Sequence, residues 1–167
     1  MRYKKMIESS KIKRICQIIL QGDSPQIKEE DLRNLIQSES FEELMVQVAS
    51  QLKQIGFSLI RTNFLGEKYY VLTTPGKDEK ISPIMYGILG SLVALYNELG
   101  TTISKKDLKN IYRDVWNECN LLIENGYLAI VEEDGIKKVL ITPIAKGVCK
   151  DLLKNFNLKE ILQLLEN

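Results

Sequence analysis

The chain contains no histidine. That absence removes the side chain that most often acts as general base, activates a nucleophile or ligates zinc near neutral pH. Cysteine is scarce too. Cys16, Cys119 and Cys149 lie far apart among apolar neighbours, with no CxxC pairing to suggest a metal knuckle or a redox couple. Read as small buried hydrophobes, they fit a reducing compartment. Charge of one sign is missing as well: 23 Lys+Arg against 22 Asp+Glu leave a formal net charge of +1. Bulk charge therefore does not coat nucleic acid, although a local patch stays open. Long hydrophobic runs are absent. The most apolar stretch, Ile84 to Leu99, is broken by Gly87, Gly90, Ser91, Asn97 and Glu98, and falls short of the roughly 20 apolar residues a bilayer span needs. The run Ile15 to Leu20 lacks a small-residue cleavage site after it, so no leader is read there. With no Gly-rich phosphate loop and no metal-spaced cluster, the expectation is a cytosolic protein that is not an enzyme and carries no cofactor.

What is present is an internal repeat. Residues 10–75 and 82–143 follow one pattern. Ile27-Lys28-Glu29-Glu30-Asp31-Leu32-Arg33-Asn34-Leu35-Ile36 corresponds to Ile103-Ser104-Lys105-Lys106-Asp107-Leu108-Lys109-Asn110-Ile111-Tyr112. Ile55-Gly56-Phe57 corresponds to Asn125-Gly126-Tyr127, and Leu72-Thr73-Thr74-Pro75 to Leu140-Ile141-Thr142-Pro143. Each copy opens on an amphipathic helix, with Ile12, Ile15, Cys16 and Ile19 in the first and Met85, Ile88, Leu92, Leu95 and Leu99 in the second. Ser82-Pro83 marks a start and Gly100 a stop. A short second helix follows at about 28–37 and 105–112, with Ser104 and Asp107 as a capping pair. A third helix follows, opened in the first copy by the capping box Ser40-Phe41-Glu42-Glu43 and spanning about 114–125 in the second. Each third helix stops at a glycine and gives way to a hairpin, turned at Phe64-Leu65-Gly66-Glu67 and at Asp134-Gly135.

Helix, helix, helix, hairpin is the order of a winged helix-turn-helix. The expected fold is therefore mostly α with small β-hairpin wings (α+β): tandem winged helix-turn-helix domains plus a C-terminal helix. The expected domains are 1–76, carrying a basic N-terminal arm, and 82–167, joined by the polar stretch 76–80. The closing helix, about 144–165, carries Leu158, Ile161, Leu162 and Leu165 on one stripe. It either folds back onto the second domain or pairs with another chain.

A winged helix that reads DNA carries cations on its third helix and wing. In the first copy that face holds Glu42, Glu43, Gln47, Ser50, Gln51 and Gln54, with Lys53 the one cation. The second copy offers Asp114, Asn117, Asn120 and Glu124, and its wing tip reads Glu132-Glu133-Asp134. Sequence readout by these helices is not expected. Positive charge gathers instead at Arg2, Lys4, Lys5, Lys11, Lys13 and Arg14. This arm is a candidate for non-specific phosphate contact, against the ordinary reading of such a charge run as a solvated helix face and a frayed terminus.

The helix from Ile84 to Leu99 is apolar on more than one side. Beyond the stripe above it shows Tyr86, Leu89, Val93 and Tyr96, and a small-residue stripe of Gly87, Gly90, Ser91 and Ala94. It serves either as a spine packed inside the protein or as a groove for a partner's amphipathic helix, with Tyr86, Leu89, Val93 and Tyr96 the candidate partner-binding residues. Trp116 reads as a partly buried packing residue early in the third helix of the second copy.

Over about residues 10–155 the pattern resembles the kleisin-interacting tandem winged-helix (KITE) proteins of SMC complexes, in either the ScpB or the MAGE branch. Gly56-Phe57-Ser58-Leu59-Ile60 through Lys68-Tyr69-Tyr70-Val71-Leu72 looks like the first-domain wing of both branches. Gly87 to Val93, followed by Ile103 to Leu108, looks like the start of the second domain in the MAGE type. Ile141-Thr142-Pro143 stands where MAGE domains carry Trp-Gly-Pro, and Tyr112-Arg113-Asp114 where ScpB carries Arg-Gly-Val, so the branch stays open. The resemblance implies a non-catalytic accessory subunit that binds the kleisin beside an SMC ATPase. Such subunits form homodimers or KITE heterodimers and support chromosome condensation and segregation in the cytoplasm, on the chromosome. The alternative is a tandem winged-helix transcription regulator.

Overall fold

A computed structural model describes residues 2–75 and 78–150, with the backbone alone for residues 2–8. The expected C-terminal stripe, Leu158 to Leu165, lies outside the described residues. The chain divides into two compact units, Met1–Gly76 and Lys77–Asn167. Both are α+β with a small antiparallel sheet.

The first unit runs α1 (Arg2–Gln21), β1 (Gln26–Lys28), α2 (Glu29–Ile36), α3 (Phe41–Gln54), β2 (Ser58–Phe64) and β3 (Glu67–Thr73). The second runs α4 (Pro83–Leu99), β4 (Ile103–Ser104), α5 (Lys105–Ile111), a 3₁₀ turn (Arg113–Val115), α6 (Trp116–Glu124), β5 (Leu128–Glu133), β6 (Ile136–Ile141) and α7 (Pro143–Val148). Sheet order repeats also, as β1-β3-β2 and β4-β6-β5. The two short strands escape a periodicity reading because two or three residues are too few to show alternation. Each hydrogen-bonds to the returning strand of its hairpin, Ile27 opposite Tyr70 and Ile103 opposite Val139. Lys28 is thereby a strand residue, not the first residue of the second helix.

The third helices end in the same way. Gly56 and Gly126 adopt left-handed φ values of +88° and +76°. Phe57 N–H then donates to Leu52 O and Gly56 N–H to Lys53 O, and the second unit repeats this with Tyr127 to Leu122 and Gly126 to Ile123. This is the Schellman pairing, which satisfies orphaned helix carbonyls and sets an apolar residue against the last helical turn. The aromatic that follows each glycine starts the hairpin.

Helix starts are chemically explicit in the second unit. Ser82 accepts from Met85 N–H at 3.2 Å ahead of Pro83. Ser104 accepts from Asp107 N–H at 3.0 Å and donates to its carboxylate at 2.6 Å. Thr142 donates to the Gly126 carbonyl at 2.6 Å while capping α7, which ties that helix to the Schellman turn. The capping box expected at Ser40 does not form, since Ser40 makes no side-chain cap and its hydroxyl pairs with that of Ser38 at 3.3 Å. The basic stretch expected as an arm is instead continuous helix from Arg2, with neither proline nor glycine between Arg2 and Gln21 to interrupt it.

Both hairpins turn through two consecutive residues of positive φ, Leu65-Gly66 and Asp134-Gly135. Asp tolerates that conformation, whereas a leucine at φ 51° carries the Cβ clash of the left-handed region with its side chain exposed. Leu65→Asn is therefore expected to stabilise the first unit by about 1 kcal/mol. The check is a higher urea midpoint by far-UV circular dichroism, with an unchanged slope.

Candidate interaction surfaces

The best-defined polar constellation lies in the first unit. Glu29, the first residue of α2, is 5% exposed. Arg61 on β2 donates to it twice, from Nε at 2.6 Å and Nη2 at 2.8 Å, and Arg33 donates from Nε at 3.0 Å. Arg33 also reaches Glu42 on α3 at 2.5 Å and stacks over the Phe41 ring at 4.1 Å. Phe41 in turn meets Tyr70 edge-on at 6.4 Å. One buried carboxylate thus binds α2, α3 and the hairpin together. Burial alone would push the Glu29 carboxyl up. Hydrogen bonds from Arg33 and Arg61, with their charges, outweigh that and hold it below its ordinary value.

An open cleft of about 760 Å³ adjoins this network, lined by Lys11, Arg33, Phe41, Glu42 and Glu43 among others. One turn further along α3, Val46 is 71% exposed. Glu42, Glu43, Gln47, Ser50, Gln51, Lys53 and Gln54 are all exposed beside it. The corresponding helix α6 exposes Asn117, Leu121 and Glu124, with Asn120 half-buried. Asp114 lies just before α6, in the 3₁₀ turn. Both third helices therefore present mixed acidic, amide and apolar faces.

The face of α4 proposed for a partner is not a surface. Leu89 is 0% and Val93 3% exposed, and both belong to the second unit's core with Met85, Ile88, Leu92, Leu108, Leu122 and Val139. The error has a geometric cause. Met85, Leu89, Leu92 and Tyr96 follow i, i+4, i+7, i+11 and make one row, so the "second" face is the first one widened. Leu99, assigned to the core stripe, is exposed. The two tyrosines are half-buried and committed internally. Tyr96 donates to Val139 O at 2.6 Å, with burial pushing its phenol up to about 12. Tyr86 accepts from Asp78 N–H at 2.7 Å. Asp78 also takes the Tyr127 hydroxyl at 2.5 Å, so this residue of the presumed linker is fastened to the second unit.

The small-residue stripe is not one continuous approach surface. A Cβ at Gly87 would meet nothing within 4 Å. Ser91 bonds the Tyr112 hydroxyl at 2.6 Å. Trp116 opens α6 half-buried against the core, with Lys109 Nζ 5.9 Å from its ring centroid.

Of the basic residues at the start, Lys13 and Arg14 are exposed on α1 and Lys11 is half-buried. Arg2, Lys4 and Lys5 fall on the same helix, where the backbone alone is described. A charge reading confined to third helices and wings missed another group of cations, Lys105, Lys106 and Lys109 on α5 with Arg113 in the turn that follows. The spacing i, i+1, i+4 was the signal that could have found them. Burial pushes the Cys119 and Cys149 thiols up to about 11, which keeps them protonated and poorly nucleophilic. Among the described residues no helix is long and apolar enough to cross a membrane.

No family model matches the chain, and no curated protein matches it.

Two outcomes follow. Leu89→Ala should destabilise the second unit by about 2–5 kcal/mol, read through the fluorescence of Trp116, the sole tryptophan. Because the folded Glu29 carboxyl sits below the 4.5 of a free one, its contribution is complete above that pH and fades as acidification passes through the folded value. Glu29→Gln should lower stability at pH 7 by about 1.5–3 kcal/mol and flatten the acid limb of a denaturation-versus-pH profile.

Proposed function

We propose that the chain is a pair of winged-helix domains acting as a non-catalytic accessory subunit of an SMC–kleisin complex, a KITE-type protein that binds the kleisin and supports chromosome condensation and segregation. Three features support this reading: the repeated order of helix, strand, two helices and hairpin, the residues resembling KITE wings, and the nature of the third-helix faces. The carrying observation is α3. Its outer face sets an exposed Val46 beside Glu42, Glu43 and Gln47. Such a face repels phosphate and offers an apolar handle to a protein. The absence of histidine and the protonated thiols agree with a subunit that performs no chemistry of its own.

The partner contact does not run through Leu89 and Val93, because reaching them would open the core. The exposed face of α3 and the adjoining cleft take that role, with an amphipathic helix of the kleisin as occupant. A KITE partner or a second copy and the SMC ATPase complete the assembly.

The test is co-purification of the full chain with the central segment of the kleisin encoded in the same genome. Stable capture is expected, reduced at least tenfold by Val46→Glu with the circular dichroism spectrum unchanged. Absence of capture by the folded wild-type chain would remove the reading.

A further inference from the structure

The two units carry opposite net charge on their second helices. Glu29, Glu30 and Arg33 of α2 correspond to Lys105, Lys106 and Lys109 of α5. The alignment is anchored by Leu32 and Leu108, both fully buried, and by the strand partners of Ile27 and Ile103. Two carboxylates and a guanidinium in one unit thus become three ammonium groups in the other. The partner of the buried carboxylate changes too: Arg61 lies opposite Tyr70, the partner of Ile27, whereas Ile130 lies opposite Val139, the partner of Ile103, so Arg61 corresponds to Ile130 in β5.

At 100° per residue, Lys105, Lys109 and Lys106 fall within an arc of about 100° on α5. The three lysines extend over about 6 Å of the helix, and Arg113 follows in the 3₁₀ turn beyond the Tyr112 cap. Lys106, Lys109 and Arg113 are exposed and Lys105 is half-buried. Among the described residues no carboxylate pairs with Lys105, Lys106 or Lys109. Arg113 meets Asp114 at 3.8 Å, with both side chains solvated, an arrangement worth little. Asp107 projects away from the stripe and is held by Ser104. The exposed apolar residue of α5, Ile111, also lies outside the arc.

We infer that this stripe on α5 and Arg113 binds the phosphate backbone of double-stranded nucleic acid, without reading its sequence. A line of cations whose aromatic neighbour, Trp116 beside Lys109, is half-buried against the core suits a regular line of phosphates, whereas a protein partner would call for an anchor it could bury. In helix-turn-helix units the first helix of the pair crosses the backbone and the next reads bases. Here the next helix, α6, turns Asn117, Leu121 and Glu124 outward without a cation, so backbone contact comes without a reader. The inference uses the winged-helix half of the proposed function and is independent of kleisin capture.

The test is fluorescence anisotropy of the full chain with labelled duplexes of about 20 bp and unrelated sequences. Affinities should agree within about twofold across sequences and fall about 150-fold between 50 and 200 mM salt, as release of counterions from four contacts requires. Lys105→Gln with Lys109→Gln should halve the salt slope, from about −3.6 to about −1.8, and weaken binding at least tenfold at 50 mM salt. Lys13→Gln with Arg14→Gln should leave the slope unchanged, which separates α5 from α1. The α5 variant must keep the wild-type thermal midpoint, and a Lys105→Arg/Lys109→Arg variant should restore binding. The inference is overturned if the duplex does not bind at 50 mM salt, if the α1 variant and not the α5 variant carries the loss, or if poly-glutamate binds this stripe as tightly as the duplex, which would assign it to an acidic protein.

Discussion

The turn at the end of each third helix is the constraint on which both units rest. A helix cannot deliver its chain into a hairpin strand on its own core unless the backbone reverses hand for one residue. Gly56 and Gly126 supply that residue without a Cβ penalty. The next residue, Phe57 or Tyr127, returns its N–H to the last full turn and starts the sheet. In the second unit the same turn also receives Thr142 and, through the Tyr127 hydroxyl, Asp78. Helix, hairpin, closing helix and entering segment therefore all meet at one backbone reversal. A side chain at Gly126 would act on all of them at once, and one at Gly56 on helix and hairpin, although open space surrounds both positions.

Upon this shared frame the units solve the packing of the second helix differently. The first closes it with charge: Glu29 gathers two arginines from separate elements, and the guanidinium planes cover Phe41 and Tyr70. Removing any one member leaves a charge short of its partners in a partly dry site. The second unit closes the same region with aliphatic and aromatic packing, and sends its charges to water. The divergence follows from one pairing between residues far apart in the chain, Glu29 with Arg61, and its replacement by Lys105 and Ile130.

What could be read from the amino acids alone was whatever depends on neighbours in the chain. The repeat, the stop at each glycine, the entry at Ser82-Pro83 and both hairpin turns depend on residues within a few positions of one another. They stand where local chemistry places them. What escaped depends on distance. β1 and β4 are strands because a hairpin 40 or so residues later offers them a free edge. The burial of Glu29 depends on Arg61, 32 residues away. The α4 face failed for another reason: a helix apolar over a wide arc looks two-sided in sequence, and only the packed neighbours tell a broad buried face from a spare one. The lysines of α5 were visible all along, on the helix before the one whose charges were weighed.

Glu29 and Lys105 occupy one position in two copies of a fold, yet their freedom to mutate differs. The carboxylate at 29 is a keystone, and a codon change that reversed its charge would strand two arginines and loosen three elements. The ammonium at 105 pairs with no carboxylate among the described residues, so its charge can be changed while the unit still folds. The first unit depends on its electrostatics to keep its shape, whereas the second is the copy in which single substitutions can rewrite surface charge with the fold kept.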